Sequence, residues 1–257
     1  MVLLLIAVAH HSSLSATLFP PGFSPWELWP HDYDYKYRDL KILRANMKFI
    51  LCFFLILLAL NSFAETKEEQ RVWLGIFGRK ELSSNFDLWA ETQLRHDETN
   101  QTMAQTLNRF GVLRKMNEHN EFGFLFAYVQ TGLTKEYRPT LQYVYKNKLD
   151  INSFSIRNRL EGRDIENEDA NSLRFRSLLR FSRPLNTQYE LVLWDEPFLN
   201  LTRETWSGDR LIERNRVFAG VRINFEKVNF EVGYMNQYVP RETQDISEHI
   251  LTLYLFF

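Results

Sequence analysis

The segment 151–183 constrains this chain more than any other. Read with a period of two, Arg157, Arg159, Glu161 and Arg163 fall on one side and Phe154, Ile156 and Leu160 on the other. After an acidic tip of Asp164, Glu166, Glu168 and Asp169 the alternation resumes. Leu173, Phe175, Leu179 and Phe181 share one side, and Arg174, Arg176 and Arg180 share the other. Side chains of a strand alternate between faces, so the segment predicts a β-hairpin with one oily and one cationic surface. Each arm is longer than the ~5–6 residues usual for a strand in a water-soluble domain. It is instead long enough for a tilted membrane-crossing strand, which needs about 9–11 residues. A sandwich would bury the oily face and leave the arginines in water. A membrane barrel inverts that order, with oil toward lipid and arginines toward the lumen.

The rest of the chain favours the inverted order. Phenylalanine and tyrosine are plentiful, at 21 and 11 residues, and the net charge is −1. That balance gives no basic excess for nucleic acid. The only cysteine, Cys52, rules out an intrachain disulfide framework or a cysteine metal site. It lies in an apolar run that follows Met47-Lys48 and ends at Asn61-Ser62-Phe63-Ala64, the layout of a signal peptide over 47–64 with cleavage after Ala64. Residues 1–46 hold no sustained period and read as an over-extended start or an unstructured leader, which leaves 65–257 as the barrel. At the other end Leu251, Leu253, Leu255 and Phe257 alternate up to a terminal aromatic. This is similar to the closing strand of bacterial outer-membrane barrels, in which such a residue is the signal read by the insertion machinery.

Further strands are expected at about 71–79, 86–95, 105–115, 122–130 and 137–145 before the hairpin, and at 188–196, 211–225, 228–238 and 248–257 after it. Pro139 is placed near the start of its strand, where the missing donor is tolerable. Long polar loops are expected after the second, fourth, sixth, eighth and tenth strands, with tight turns elsewhere, as in outer-membrane barrels. The fold class is therefore all-β, an antiparallel transmembrane up-and-down barrel. Eleven runs are legible, but single-chain bacterial barrels have even numbers. The expectation is about 12 strands, with 10 next; the missing one would lie inside 199–206, or the first run would stand outside the wall.

The inward candidates include Arg95, Arg109, Arg138, Arg157, Arg159, Arg163, Arg174, Arg176, Arg180, Arg214, Arg216 and Arg222. Glu91, Glu161, Glu190, Glu196 and Glu231 oppose them. Arginine suits a lumen because its planar fork pairs carboxylates and stays charged. Two readings are open. Unpaired guanidiniums around water would make a narrow channel for anionic solutes. A salt-bridged filling would brace the barrel and leave no conduit. The acidic tip is either a solvated loop or a divalent-cation site beside lipopolysaccharide.

The same residues carry a resemblance. Trp73, Trp89 and Arg95, then Arg138 and Gln142, the R-x-R-L-E-x-R run from Arg157 to Arg163, and Arg174-Phe175-Arg176 with Arg180 and Pro184 form its core. Glu196 with Phe198, Arg214, Gly220, and Gly233-Tyr234-Met235 with Gln237 continue it. Over about 71–257 the layout resembles an outer-membrane family, domain of unknown function 2490. The resemblance implies an outer-membrane barrel and brings no activity.

No phosphate loop, metal-ligand spacing or dinucleotide fingerprint is present, so a cofactor is not expected. A rim-site lipid hydrolase would have to use His249 or His96, with Ser247 as the nearest hydroxyl in sequence. The expectation is a non-enzymatic, porin-like or structural barrel of the bacterial outer membrane. Its partners would be the lipid bilayer, lipopolysaccharide, the insertion machinery and, in the channel reading, small anionic solutes. A periplasmic β-barrel binding protein free of the membrane is the alternative fold reading.

Overall fold

The computed structural model describes residues 66–97, 102–202, 204 and 210–257. The expected leader (1–46) and signal peptide (47–64) lie outside the described residues.

Eleven strands close into one barrel. They are β1 (Thr66–Ser83), β2 (Phe86–Asp97), β3 (Thr102–Lys115), β4 (Asn120–Thr131), β5 (Thr134–Leu149), β6 (Asn152–Ile165), β7 (Ser172–Pro184), β8 (Tyr189–Asn200), β9 (Ile212–Asn224), β10 (Asn229–Val239) and β11 (Asp245–Phe256). Each pairs antiparallel with its neighbour in sequence, and β1 pairs parallel with β11 to close the ring.

The strand number and this seam correct the expectation of about 12 wholly antiparallel strands. Strands joined by hairpins reverse direction at each step. In an odd series the first and last therefore run the same way, and the seam between them must be parallel. The extra strand expected within 199–206 is not found among the described residues. Instead β8 runs on to Asn200, and its Leu199 pairs with Ile212 of β9. The seam is held by the full register from Thr66↔Asp245 to Phe77↔Phe256. Phe257 extends it: its N–H donates to the Phe77 carbonyl at 2.9 Å, and the Arg79 N–H donates to its carbonyl at 3.2 Å. Inside the barrel the Phe77 ring stacks on Phe256 at 4.8 Å, and Arg71 meets Glu248 at 3.1 Å.

Two local expectations also change. The connection after β4 is a two-residue turn, with Gly132 at φ +59°, because β4 and β5 stay paired out to Thr131↔Thr134. A positive φ is the conformation that glycine adopts without steric cost. Pro139 lies well inside β5, on the outer face, and packs against Gly162 of β6, where an added Cβ would stand 3.3 Å from the proline ring.

The alternation works as the sequence predicts. Large apolar residues cover the outside: Phe124 is 59% exposed, and its cross-strand neighbour Leu141 58%. Charged residues line the inside, where Glu161 is fully buried. One side of the interior also holds an apolar cluster of Trp73, Leu178, Val192, Trp194, Phe218, Met235 and Ile250. Gly220 and Gly233 face each other across β9 and β10 beneath the Phe218 ring. A Cβ on either would stand 2.5 Å from Phe218 Cζ and 2.6 Å from a backbone oxygen of the paired strand. The ring is fixed from its other side by Trp194, stacked at 4.9 Å. Gly233→Leu is therefore expected to destabilise the barrel by about 1–3 kcal/mol through overpacking. Denaturant unfolding in detergent checks this; an unmoved midpoint would mean that Phe218 has room to turn away.

Candidate functional site

The interior charges are arranged by strand register. In the β6–β7 hairpin Glu161 lies opposite Arg174, and Arg159 opposite Arg176. Glu161 meets Arg174 at 2.6 Å, Arg176 at 3.2 Å and Arg109 of β3 at 3.4 Å. Arg109 is held on its other side by Glu91 at 2.9 Å. Glu196 of β8 forms a second centre, with Arg176 at 2.7 Å, Arg157 at 3.0 Å and Arg216 at 3.7 Å.

A third centre is Glu213, which meets Arg214 at 2.7 Å, Arg174 at 2.9 Å and Arg163 at 3.6 Å. Strict alternation would turn Glu213 outward, since Arg214 and Arg216 face in. The β8–β9 register slips between Phe198 and Leu199: Phe198 pairs with Arg214, but Leu199 pairs with Ile212. Glu213 is thus the extra residue of a β-bulge, and a bulge re-aims a side chain without changing its neighbours. At the same end Glu136 binds Arg138 and Arg163, both at 2.6 Å. Toward the other end Glu231 of β10 reaches Arg180 of β7 at 2.5 Å and Arg222 of β9 at 3.2 Å.

Several of these links cross the interior. Arg109 to Glu161, Arg163 to Glu213 and Arg180 to Glu231 each join strands three apart around the ring. Aromatic rings fill spaces between them. Phe198, buried, has Arg176 at 4.4 Å, Arg216 at 4.6 Å, Arg174 at 5.2 Å and Arg214 at 5.9 Å from its ring centre. Trp73 carries Arg95 at 3.9 Å and Arg216 at 4.9 Å. A desolvated cation over a ring contributes up to about 2 kcal/mol.

A cavity of about 430 Å³ remains in the lumen, and nine arginines and one lysine line it against four glutamates. Lys146 and Arg79 at its margin are partly exposed, whereas Arg109 and Arg159 in its wall are buried.

The structure brings Arg157, Arg159, Glu161, Arg163, Arg174, Arg176, Arg214 and Arg216 into this interior, and Arg180 joins them through Glu231. Glu190 does not join them. It lies opposite Arg222, half-buried, with no ion pair among the described residues, because Glu231 takes that guanidinium from the other side. Phe257 is exposed, and its backbone is tied to β1. Sequence reasoning missed Glu136, which it left in a loop, and Glu213, which the bulge conceals. It also missed the apolar members of the inner face, although Phe198, Phe218 and Met235 share parity with inward neighbours and could have been found by it.

On the outward face, beside the β1–β11 seam, His249 is engaged on both ring nitrogens. Tyr234 meets Nδ1 at 2.5 Å, and Glu68 meets Nε2 across the seam. Ser247 accepts a hydrogen bond from Asn236 at 2.9 Å. Among the described residues no hydrogen bond joins Ser247 to His249, or His249 to His96, which lies opposite Val72 on β1. At the acidic tip Glu166 pairs with Lys135 at 3.3 Å, and no group of three potential metal ligands converges among the described residues.

A family model described as "Protein of unknown function (DUF2490)" matches residues 70–248. No curated protein matches the chain. Among solved structures, one titled "NanC porin structure in rhombohedral crystal form" aligns with a TM-score of 0.47 at 9% identity, covering 66% of this chain and 85% of that one.

Proposed function

Because the chain belongs to the DUF2490 family of proteins of unknown function, we propose its role from its geometry: a porin-like barrel of the bacterial outer membrane, closed across its middle by its own side chains. The outer-membrane placement rests on the exposed apolar wall, which includes Leu74, Phe110, Phe124, Leu141, Val232 and Leu251; proteins in water rarely expose large contiguous apolar patches. In this reading residues 47–64 are a signal peptide, residues 65–257 the mature barrel, and Phe257 the mark that the insertion machinery reads. Lipid, with lipopolysaccharide in the outer leaflet, surrounds the wall.

The single observation that carries the closed middle is Glu161. It has no exposed surface, yet it bridges arginines of β3 and β7. In a through-pore water would reach such a carboxylate. Here its lone pairs are taken by guanidiniums, and Phe198 and the Trp73 ring occupy neighbouring space. The barrel acts as a braced envelope element with a blind cationic cavity, and transport of anions through it is the reading that this packing disfavours.

Planar-bilayer recording tests the proposal. The wild-type barrel is expected to give no steady conductance. Sustained anion-selective steps, weakened or reversed by Arg157→Glu and Arg174→Glu, would replace the closed barrel with a channel.

A further inference from the structure

The cavity has one cation whose situation differs from the rest. Arg159 is 2% exposed, and its Nε donates to Gln142 at 2.7 Å. Among the described residues no carboxylate lies within 4.0 Å of its guanidinium. Arg95 also lacks a carboxylate, but it is stacked on Trp73 and held by Gln93 and Gln105 at 2.9 and 2.5 Å. Arg159 has no such ring.

Its neighbours relieve it only in part: Glu91 acts on it from beyond ion-pair distance and is already paired with Arg109 at 2.9 Å. Arg157, two residues along on the same face, spends its one ion pair on Glu196, and its Nε is buried without a partner. Arg176, directly across the β6–β7 pair, is shared by Glu196 and Glu161. A buried guanidinium without a carboxylate in contact carries a desolvation penalty that a paired one does not. A ligand anion would remove it.

The surroundings define what kind of anion. One unmatched positive charge calls for one negative charge. The planar fork of arginine matches the two oxygens of a carboxylate. Arg157 is flanked on its two neighbouring strands by Val144 and Leu178, both buried and both in the cavity wall. The volume of about 430 Å³ falls within the ~300–1,000 Å³ range of small-molecule pockets. We propose that the cavity seats a small monocarboxylate with an apolar body, its carboxylate on Arg159 beside Arg157 and its body against Val144 and Leu178. The inference rests on the reading of the cavity as blind and cationic.

Benzoate is a suitable probe, with benzyl alcohol as its uncharged counterpart and inorganic phosphate as a charge without a body. The mature barrel in neutral detergent would be titrated by calorimetry and by tryptophan fluorescence against empty micelles. Trp73, Trp89 and Trp194 line the cavity and would report occupancy. Benzoate is expected to saturate one site per barrel. Its affinity should fall at least tenfold in Arg159→Gln, and benzyl alcohol should not saturate. Absence of saturable binding, or binding equal in Arg159→Gln, would overturn the proposal. Phosphate binding as tightly as benzoate would overturn the apolar half of it.

Heat-modifiable gel mobility reports whether each variant is folded. If Arg159→Gln does not fold, Arg159→Lys keeps the charge but loses the fork. Its benzoate affinity is expected to drop several-fold, and an unchanged affinity would end the argument. Conductance is read separately. A barrel that binds benzoate and also conducts keeps the seat and loses the closed middle; a silent barrel indifferent to benzoate does the opposite.

Discussion

Glu161→Gln should cost the barrel about 3–5 kcal/mol, the usual penalty for removing one partner from a buried ion-pair network. The residue has no exposed surface and contacts three arginines. Glutamine keeps the shape but removes the charge, and its amide N–H₂ would face guanidiniums that are themselves only donors. Each arginine retains a second acid: Arg109 keeps Glu91, Arg174 keeps Glu213 and Arg176 keeps Glu196. That places the effect toward the lower end of the range. Glu190→Gln is the matched control, since Glu190 is half-buried and has no ion pair among the described residues. Its cost should stay within about 1 kcal/mol, because it faces Arg222 without forming an ion pair with it. Denaturant unfolding of both variants in detergent decides the matter. Equal midpoints would mean that the interior charges are hydrated and independent, and that the middle of the barrel is not packed.

Leu141→Arg should hinder folding into a bilayer by about 2–4 kcal/mol, the cost of an arginine on the lipid face near the midplane of a membrane barrel. Leu141 lies near the middle of β5 and faces outward, 58% exposed beside Phe124. Nothing in the barrel itself resists a long polar side chain there, so in water the change would be nearly neutral. The penalty arises only if hydrocarbon surrounds the wall. Folding yield and unfolding free energy in lipid vesicles, compared with the wild type, measure it. A variant that folds into vesicles as readily as the wild type would remove the membrane from the reading and return the periplasmic alternative.

Much of this was legible because a strand has a period of two and little else to decide. Arg157, Arg159, Glu161 and Arg163 had to share a face, as did Phe122, Phe124 and Phe126, whatever the partners were. The inner and outer surfaces therefore follow from the letters. So do the positions of all eleven strands, though their ends extend several residues further where pairing continues into the expected loops, as at Thr131↔Thr134. The interior was harder to read. A cation announces the inward face, but an inward Phe198 or Phe218 looks like one more hydrophobic residue in a chain rich in them. Glu213 could not be assigned at all, because a bulge leaves no mark in the alternation until the register of the partner strand is known.

Alternation alone specified the strands, the sidedness of each and hence the inside-out character of the wall, since these depend on neighbours two residues apart. Closure decided the rest. The parallel β1–β11 seam, the meeting of Arg109 with Glu161 and of Arg180 with Glu231 across three strands, and the burial of the Gln142-bound guanidinium of Arg159 exist only once the sheet has curled into a ring. The reason is geometric: alternation specifies a direction, whereas an ion pair across a lumen requires a distance, and distances between remote strands are fixed only by strand number and register.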